Sequence, residues 1–318
     1  MEDYVRKERV AGVVTLIIRE GKIAHQGVYG KLDREGGRSM RPDAIFRLAS
    51  QSTAVTSVAA MILVEEGRML LSDPISKYSP EFKNTVVAVP RHGGKGFDTV
   101  PAKKEITIRN LLTHTSGYSY GWGPASRAYL WEDVQGWYFA DHDEPIGDAV
   151  KRLARLPLDA QPGEKYIYGF SIDILGYLVE RVSGMTLAEF FQTRIFDPLK
   201  MNDTHFFLPE SKIERLSPVY GLTPEGKLEL VEKADDNDYV RGPRRCYSGG
   251  AGLLSTALDY GRFLLMLLNG GELEGARILS PKTVELMTSN HVGNLFGKQG
   301  FGLGFWITEH VGRTGKHG

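Results

Sequence analysis

Phe46-Arg47-Leu48-Ala49-Ser50-Gln51-Ser52-Thr53-Ala54-Val55-Thr56-Ser57-Val58-Ala59-Ala60-Met61-Ile62-Leu63 is the stretch on which the reading of this chain turns. Val55, Val58, Ala59, Ile62 and Leu63 fall at i, i+3, i+4, i+7 and i+8, the spacing of one apolar helix face. Ser50 and Ser52 stand where N-caps belong, and Gly67 where a C-cap belongs. Ser50 therefore heads a helix, where free backbone N–H groups and the helix dipole favour negative charge. From this pattern alone it is an ordinary cap.

Upstream, residues 10–18 and 23–29 are rich in β-branched types and flank the turn Arg19-Glu20-Gly21-Lys22, which predicts a β-hairpin. Downstream, residues 72–146 are loop-rich. Helical periodicity returns at 147–156, 171–183, 186–195, 257–269 and 281–289, and a strand-like segment follows at 303–308. Two strands, a long helical middle and a returning strand predict an α/β chain of the α+β type. In it an antiparallel sheet is built from both chain ends, with flanking helices and an inserted, mostly helical lobe. The expected division is 1–66 with 245–318 as the sheet-containing lobe and 67–244 as the helical one.

The 318 residues carry 39 Lys and Arg against 39 Asp and Glu, so no global field favours nucleic acid or an anionic membrane. Cys246 is the one cysteine and has no partner for an internal disulfide. The charged start Met1-Glu2-Asp3-Tyr4 lacks the apolar run of a signal peptide, and no stretch reaches the length of a membrane span. A cytoplasmic protein is expected, without nucleic-acid or membrane partners. The eight histidines show no metal-ligand spacing, and no phosphate or dinucleotide loop lies between a strand and a helix, so neither metal nor cofactor is expected.

A serine hydroxyl is a weak nucleophile near neutral pH, so acyl transfer at Ser50 needs a base beside it and donors facing the developing oxyanion. Six segments bear on this. Phe46 to Ser57 resembles the Ser-x-x-Lys segment of the serine β-lactamase-like and penicillin-binding-protein-like family, in particular class C β-lactamases and family VIII carboxylesterases. Leu111-Leu-Thr-His-Thr-Ser-Gly117, Pro162-Gly163 with Tyr168, Ile195 to Met201, Ser248-Gly-Gly-Ala-Gly252 and Phe301-Gly-Leu-Gly-Phe305 resemble later segments of that family, in its order. The resemblance implies that Ser50 is the acylated nucleophile, that its N–H is one oxyanion donor, and that Tyr168 assists proton transfer.

The chain departs from that pattern in three places. Thr53 occupies the position of the expected lysine; it is neutral and short, whereas a general base contributes about 10²–10⁴-fold. Phe170 stands two residues after Tyr168, where β-lactamases typically have asparagine, which tilts the expectation toward esters. Lys316-His317-Gly318 matches the late Lys-x-Gly motif by letters but follows no strand pattern, so the last sheet strands are expected to be lacking. Tyr120, Trp122, Trp131 and Trp137 cluster in the loop-rich middle, either as packing or as the wall of an acyl pocket. Tyr120, Trp122 and Phe170 are the candidate substrate contacts.

The reading that results is a serine hydrolase acting on small esters or amides through a Ser50 acyl-enzyme, impaired at Thr53. A non-catalytic ligand- or peptide-binding homologue and an acyltransferase are the alternatives.

Overall fold

The computed structural model describes residues 1–91, 96–134, 139, 142–297 and 299–308. A short helix α1 (Glu2–Arg6) leads into strands β1 (Gly12–Arg19) and β2 (Lys22–Asp33), which pair antiparallel. Their turn, Glu20-Gly21, has positive φ at both residues, as a two-residue hairpin loop requires. Strand β3 (Arg38–Ser39) extends the sheet beyond β2. Strand β4 (Phe46–Arg47) and a 3-10 turn over Ala49–Gln51 then deliver the chain into α2 (Ser52–Glu65).

Helix α2 is buried at every residue from Ser52 to Leu63. Small residues on the sides not covered by Val55, Val58, Ile62 and Leu63 let neighbours approach all round, which suits a central helix. Gly67 follows its end in the left-handed region, φ +69°, as expected. The N-cap expectation needs correcting. Neither serine caps the helix: Gln51 holds the cap position without a side-chain bond, and the Ser52 hydroxyl instead accepts from the Leu253 N–H at 3.1 Å. A buried loop N–H with no other partner claims that oxygen more strongly than a helix end already continued by a 3-10 turn.

The middle of the chain is not purely helical. Strands β5 (Val86–Pro90) and β6 (Phe97–Pro101) form a hairpin ahead of α3 (Ile108–Leu112), α4 (Ser126–Trp131), α5 (Ile146–Leu153) and α6 (Ser171–Ser183). Helices α7 (Leu187–Phe191) and α8 (Asp197–Leu199) follow, joined by a π turn. A second hairpin, β7 (Val219–Leu222) and β8 (Leu228–Glu232), and α9 (Asp238–Arg241) complete this part. One apolar core runs through α2, α3, α5, α6 and α7 and continues into Phe263 and Met266 of the last third, crossing both expected lobe boundaries.

An early and a late strand pair antiparallel, as expected of a sheet that draws on both chain ends. Among the described residues the two ends share no large sheet. Strand β9 (Leu254–Ser255) pairs with β4, and α10 (Ala257–Leu268) lies against β1. Gly261 allows that approach: a Cβ there would stand 3.0 Å from the side chains of Leu16 and Ile18. The remaining elements are the hairpin β10 (Glu272–Leu273) with β11 (Ala276–Arg277), helix α11 (Pro281–Met287), and strands β12 (Gly300–Phe301) and β13 (Trp306–Ile307). The strand expected over 303–308 is therefore the shorter β13, which pairs with β12. Lys316-His317-Gly318 lies outside the described residues, as does Trp137.

Candidate active site

Ser50 sits in the 3-10 turn that precedes α2, directly after Ala49, whose φ is +44°. A side chain with a Cβ is strained in that region. The turn is held by Leu48 N–H to Leu253 O at 2.8 Å and Gln51 N–H to Leu48 O at 3.0 Å. Ser50 is exposed, and its hydroxyl makes no hydrogen bond among the described residues. Ser52 does the structural bonding, and Ser50 is left with a free oxygen.

The next turn of α2 reads the loop before β9. Thr56 Oγ1 donates to Gly249 O at 2.7 Å, and Thr53 Oγ1 reaches Gly250 O at 3.4 Å, too long for a strong bond. On the other side of Gly250 lies Asp173, in the first turn of α6. Its Oδ1 accepts from Ser248 Oγ at 2.6 Å and from the Gly250 N–H at 3.1 Å. Its Oδ2 is buried without a hydrogen-bond partner among the described residues. Burial, outweighing these bonds, pushes the Asp173 carboxyl up to about 6.

A pH dependence follows. The ordinary value is 3.8, so between 3.8 and about 6 the folded state holds a proton the unfolded chain has lost. Stability contributed by this group therefore falls as pH rises through that window. Asp173→Asn, neutral throughout, is expected to gain on the order of 3 kcal/mol relative to the native chain between pH 4 and pH 7. Denaturant titrations at the two pH values test this; an unchanged difference between the proteins removes the buried-charge account.

Tyr168 lies in the segment that enters α6, ahead of Asp173. Gly169 lets this segment lie on the Tyr118–Ser119 backbone, since a Cβ would stand 2.5 Å from Ser119 Cα and from Tyr118 O. The Tyr168 ring is half-buried between two aromatics: the His114 imidazole, with centroids 4.4 Å apart and planes 32° apart, and the Tyr120 ring, 5.9 Å away at 73°. Tyr120 in turn meets Trp122 edge-on at 5.7 Å, and Trp122 is 71% exposed. The Tyr120 phenol is pushed up first by burial and then by the Asp173 charge, so that charge is felt across the site. Phe170 is placed one layer back: its fully buried ring packs behind Tyr120, with centroids 4.8 Å apart.

Two residues escaped the sequence reading. Asp173 had a signal, a carboxylate inside the apolar run Ile172 to Leu175. His114 lies inside the Leu111–Gly117 segment but matters through its contacts, which only the fold supplies. Both of its ring nitrogens are buried and unpartnered among the described residues, and burial holds its pKa down at about 3, so the ring is neutral. Among the described residues no group of three or more His, Cys, Asp or Glu is placed to hold a metal, and no helix is long and apolar enough to cross a membrane.

The Beta-lactamase family model matches residues 1–318. This chain belongs to the beta-lactamase family. Within it, the chain is 35% identical over 311 residues to Protein Rv1367c of Mycobacterium tuberculosis, covering 95% of this chain and 74% of that protein. It is 32% identical over 281 residues to Esterase EstB of Burkholderia gladioli, covering 83% and 67%. The solved structure of EstCE1, described as a hydrolase with promiscuous acyltransferase activity, superposes with a TM-score of 0.82 at 26% identity, covering 99% of this chain and 82% of that one. The motif resemblance and the mixed α/β fold class of this beta-lactamase relative are thus both borne out, and the family contains serine esterases and hydrolases.

Proposed function

We propose that this chain is a serine hydrolase of small esters or amides that acts through an acyl-enzyme on Ser50, with a rate limited by Thr53. The observation that carries the reading is the free, exposed Ser50 hydroxyl on its strained turn, beside a Ser52 hydroxyl that is committed to the Leu253 N–H. The esterase and hydrolase names of EstB and EstCE1 support the ester chemistry.

In the proposed reaction Ser50 Oγ bonds to the acyl carbon while the Ser50 N–H, one of the unpaired donors at the helix start, faces the oxyanion. The C–O bond to the leaving alcohol breaks with its electron pair. The serine proton passes to that alcohol by way of the Tyr168 hydroxyl. Water then attacks the acyl-enzyme by the same route in reverse. An alcohol or amine in place of water makes the reaction an acyl transfer through the same residues. Tyr120 and Trp122 are proposed to line the acyl group, with Phe170 supporting Tyr120 from behind. Nothing in this scheme requires a cofactor.

Thr53 favours a second reading, a member of the family that binds a ligand or peptide without turning it over. Intact-protein and peptide mass spectrometry after exposure to a fluorophosphonate separates the two. A Ser50 adduct, absent in Ser50→Ala, is the expected result. A folded native chain that stays unlabelled overturns the hydrolase reading and leaves the binder.

A further inference from the structure

We propose that His114 is the positioning residue of Tyr168, holding the phenol at the angle from which it serves Ser50; this rests on the Ser50–Tyr168 reading above. His114 grips the Tyr168 segment at two points. Its carbonyl accepts from the Ile167 N–H at 2.8 Å, which fixes the backbone one residue before Tyr168. Its imidazole lies against the Tyr168 ring at 4.4 Å, and Tyr120 meets that ring edge-on at 5.9 Å.

The grip is itself anchored. Helix α3 carries a capping box between Thr107 and Asn110, and its C-terminal end is closed by the Thr115 N–H to Asn110 O bond at 2.9 Å. This places His114 in the left-handed region, φ +52°. Tyr166 and Phe301 hold the imidazole from other sides, at 5.9 and 5.7 Å.

The choice of side chain follows from these constraints. A flat ring is needed against the phenol, and histidine is one of the few ringed residues enriched at left-handed positions. The two unpartnered nitrogens are a cost that brings no hydrogen bond. Ring contact is what the residue supplies, and the ring and backbone roles are separable by substitution.

The test uses the second-order rate of fluorophosphonate labelling at Ser50, together with thermal melting, in the full chain. His114→Asn tolerates the left-handed backbone but removes the buried ring; it is expected to melt below native through the cavity left among Tyr166, Tyr168 and Phe301, and to label about 10- to 100-fold more slowly, the scale of a misplaced catalytic group. His114→Phe keeps a ring at a strained backbone position; it is expected to melt lower yet label within about threefold of native. Rate should follow the ring, whereas both substitutions lower stability. Adding His114→Asn to Tyr168→Phe is expected to slow labelling no further, because the group being positioned is already gone.

A folded His114→Asn that labels at the native rate overturns the proposal, as does equal slowing in the Tyr168→Phe background. If His114→Asn does not fold, slow labelling by folded His114→Phe overturns it. A native chain that never labels at Ser50 removes the hydrolase reading first, which is a different result.

Discussion

Thr53→Lys is expected to raise hydrolysis of a short-chain p-nitrophenyl ester by about 10²–10⁴-fold, and Ser50→Ala in that background to abolish the gain. Position 53 lies one helical turn beyond Ser50, on the same face, so an amine there can take the serine proton. The surroundings suit such a group. Gly250 O, now paired with Thr53 at 3.4 Å, is free to accept from an ammonium, and the Asp173 carboxyl on the far side of Gly250 has an unpartnered oxygen. A lysine entering this site meets an acceptor and a counter-charge, which offsets its desolvation. A Thr53→Lys protein that is folded yet no faster than native refutes the account of Thr53 as the missing base. The hydrolase reading of this chain then falls with it.

Phe170→Ala carries the largest expected loss of stability, about 3–5 kcal/mol by chemical denaturation. The ring is fully buried, edge-on to Tyr120 at 4.8 Å, stacked on Phe139 at 4.9 Å and parallel to Tyr129 at 6.4 Å. Removing it loses the transfer free energy of the ring and opens a cavity among large aromatics that cannot all collapse into it. Tyr120 also loses its backing, so Ser50 labelling is expected to slow together with the stability change. Phe170→Leu fills most of the space and is expected to cost less than half as much. A Phe170→Ala protein within 1 kcal/mol of native (about one fifth of the expected loss at its upper end) contradicts this packing account.

Local signals set much of the fold. Periods of 3.6 and 2 located α6 over Ser171–Ser183, α10 over Ala257–Leu268 and the hairpin around Gly21, because those patterns depend on neighbours in sequence. The N-cap assignment at Ser52 failed for the opposite reason. Its hydroxyl is claimed by Leu253, 201 residues away, a competitor invisible to any local window. The antiparallel pairing expected between the two ends is met by β4 with β9, but which strands would pair was not legible, because partners are chosen by tertiary contacts.

The site divides along the same line. Ser50, Thr53 and Tyr168 were legible as motif positions, and Thr53 as a departure, because residue identity is a property of sequence. Asp173 and His114 were not, because their importance lies in burial and in who their neighbours are. A carboxylate becomes a charge reservoir only when Ser248 and Gly250 enclose it and its second oxygen is left without a partner. A histidine becomes a clamp only when a helix end turns its ring onto a phenol. The sequence by itself determined the family and the longer helices and singled out Ser50 as the proposed nucleophile, since each is written in identities and short-range spacing. Only the tertiary structure decided which hydroxyls are spent on structure, which carboxyl is buried, and what holds Tyr168, since desolvation and ring contact arise from residues that folding brings together.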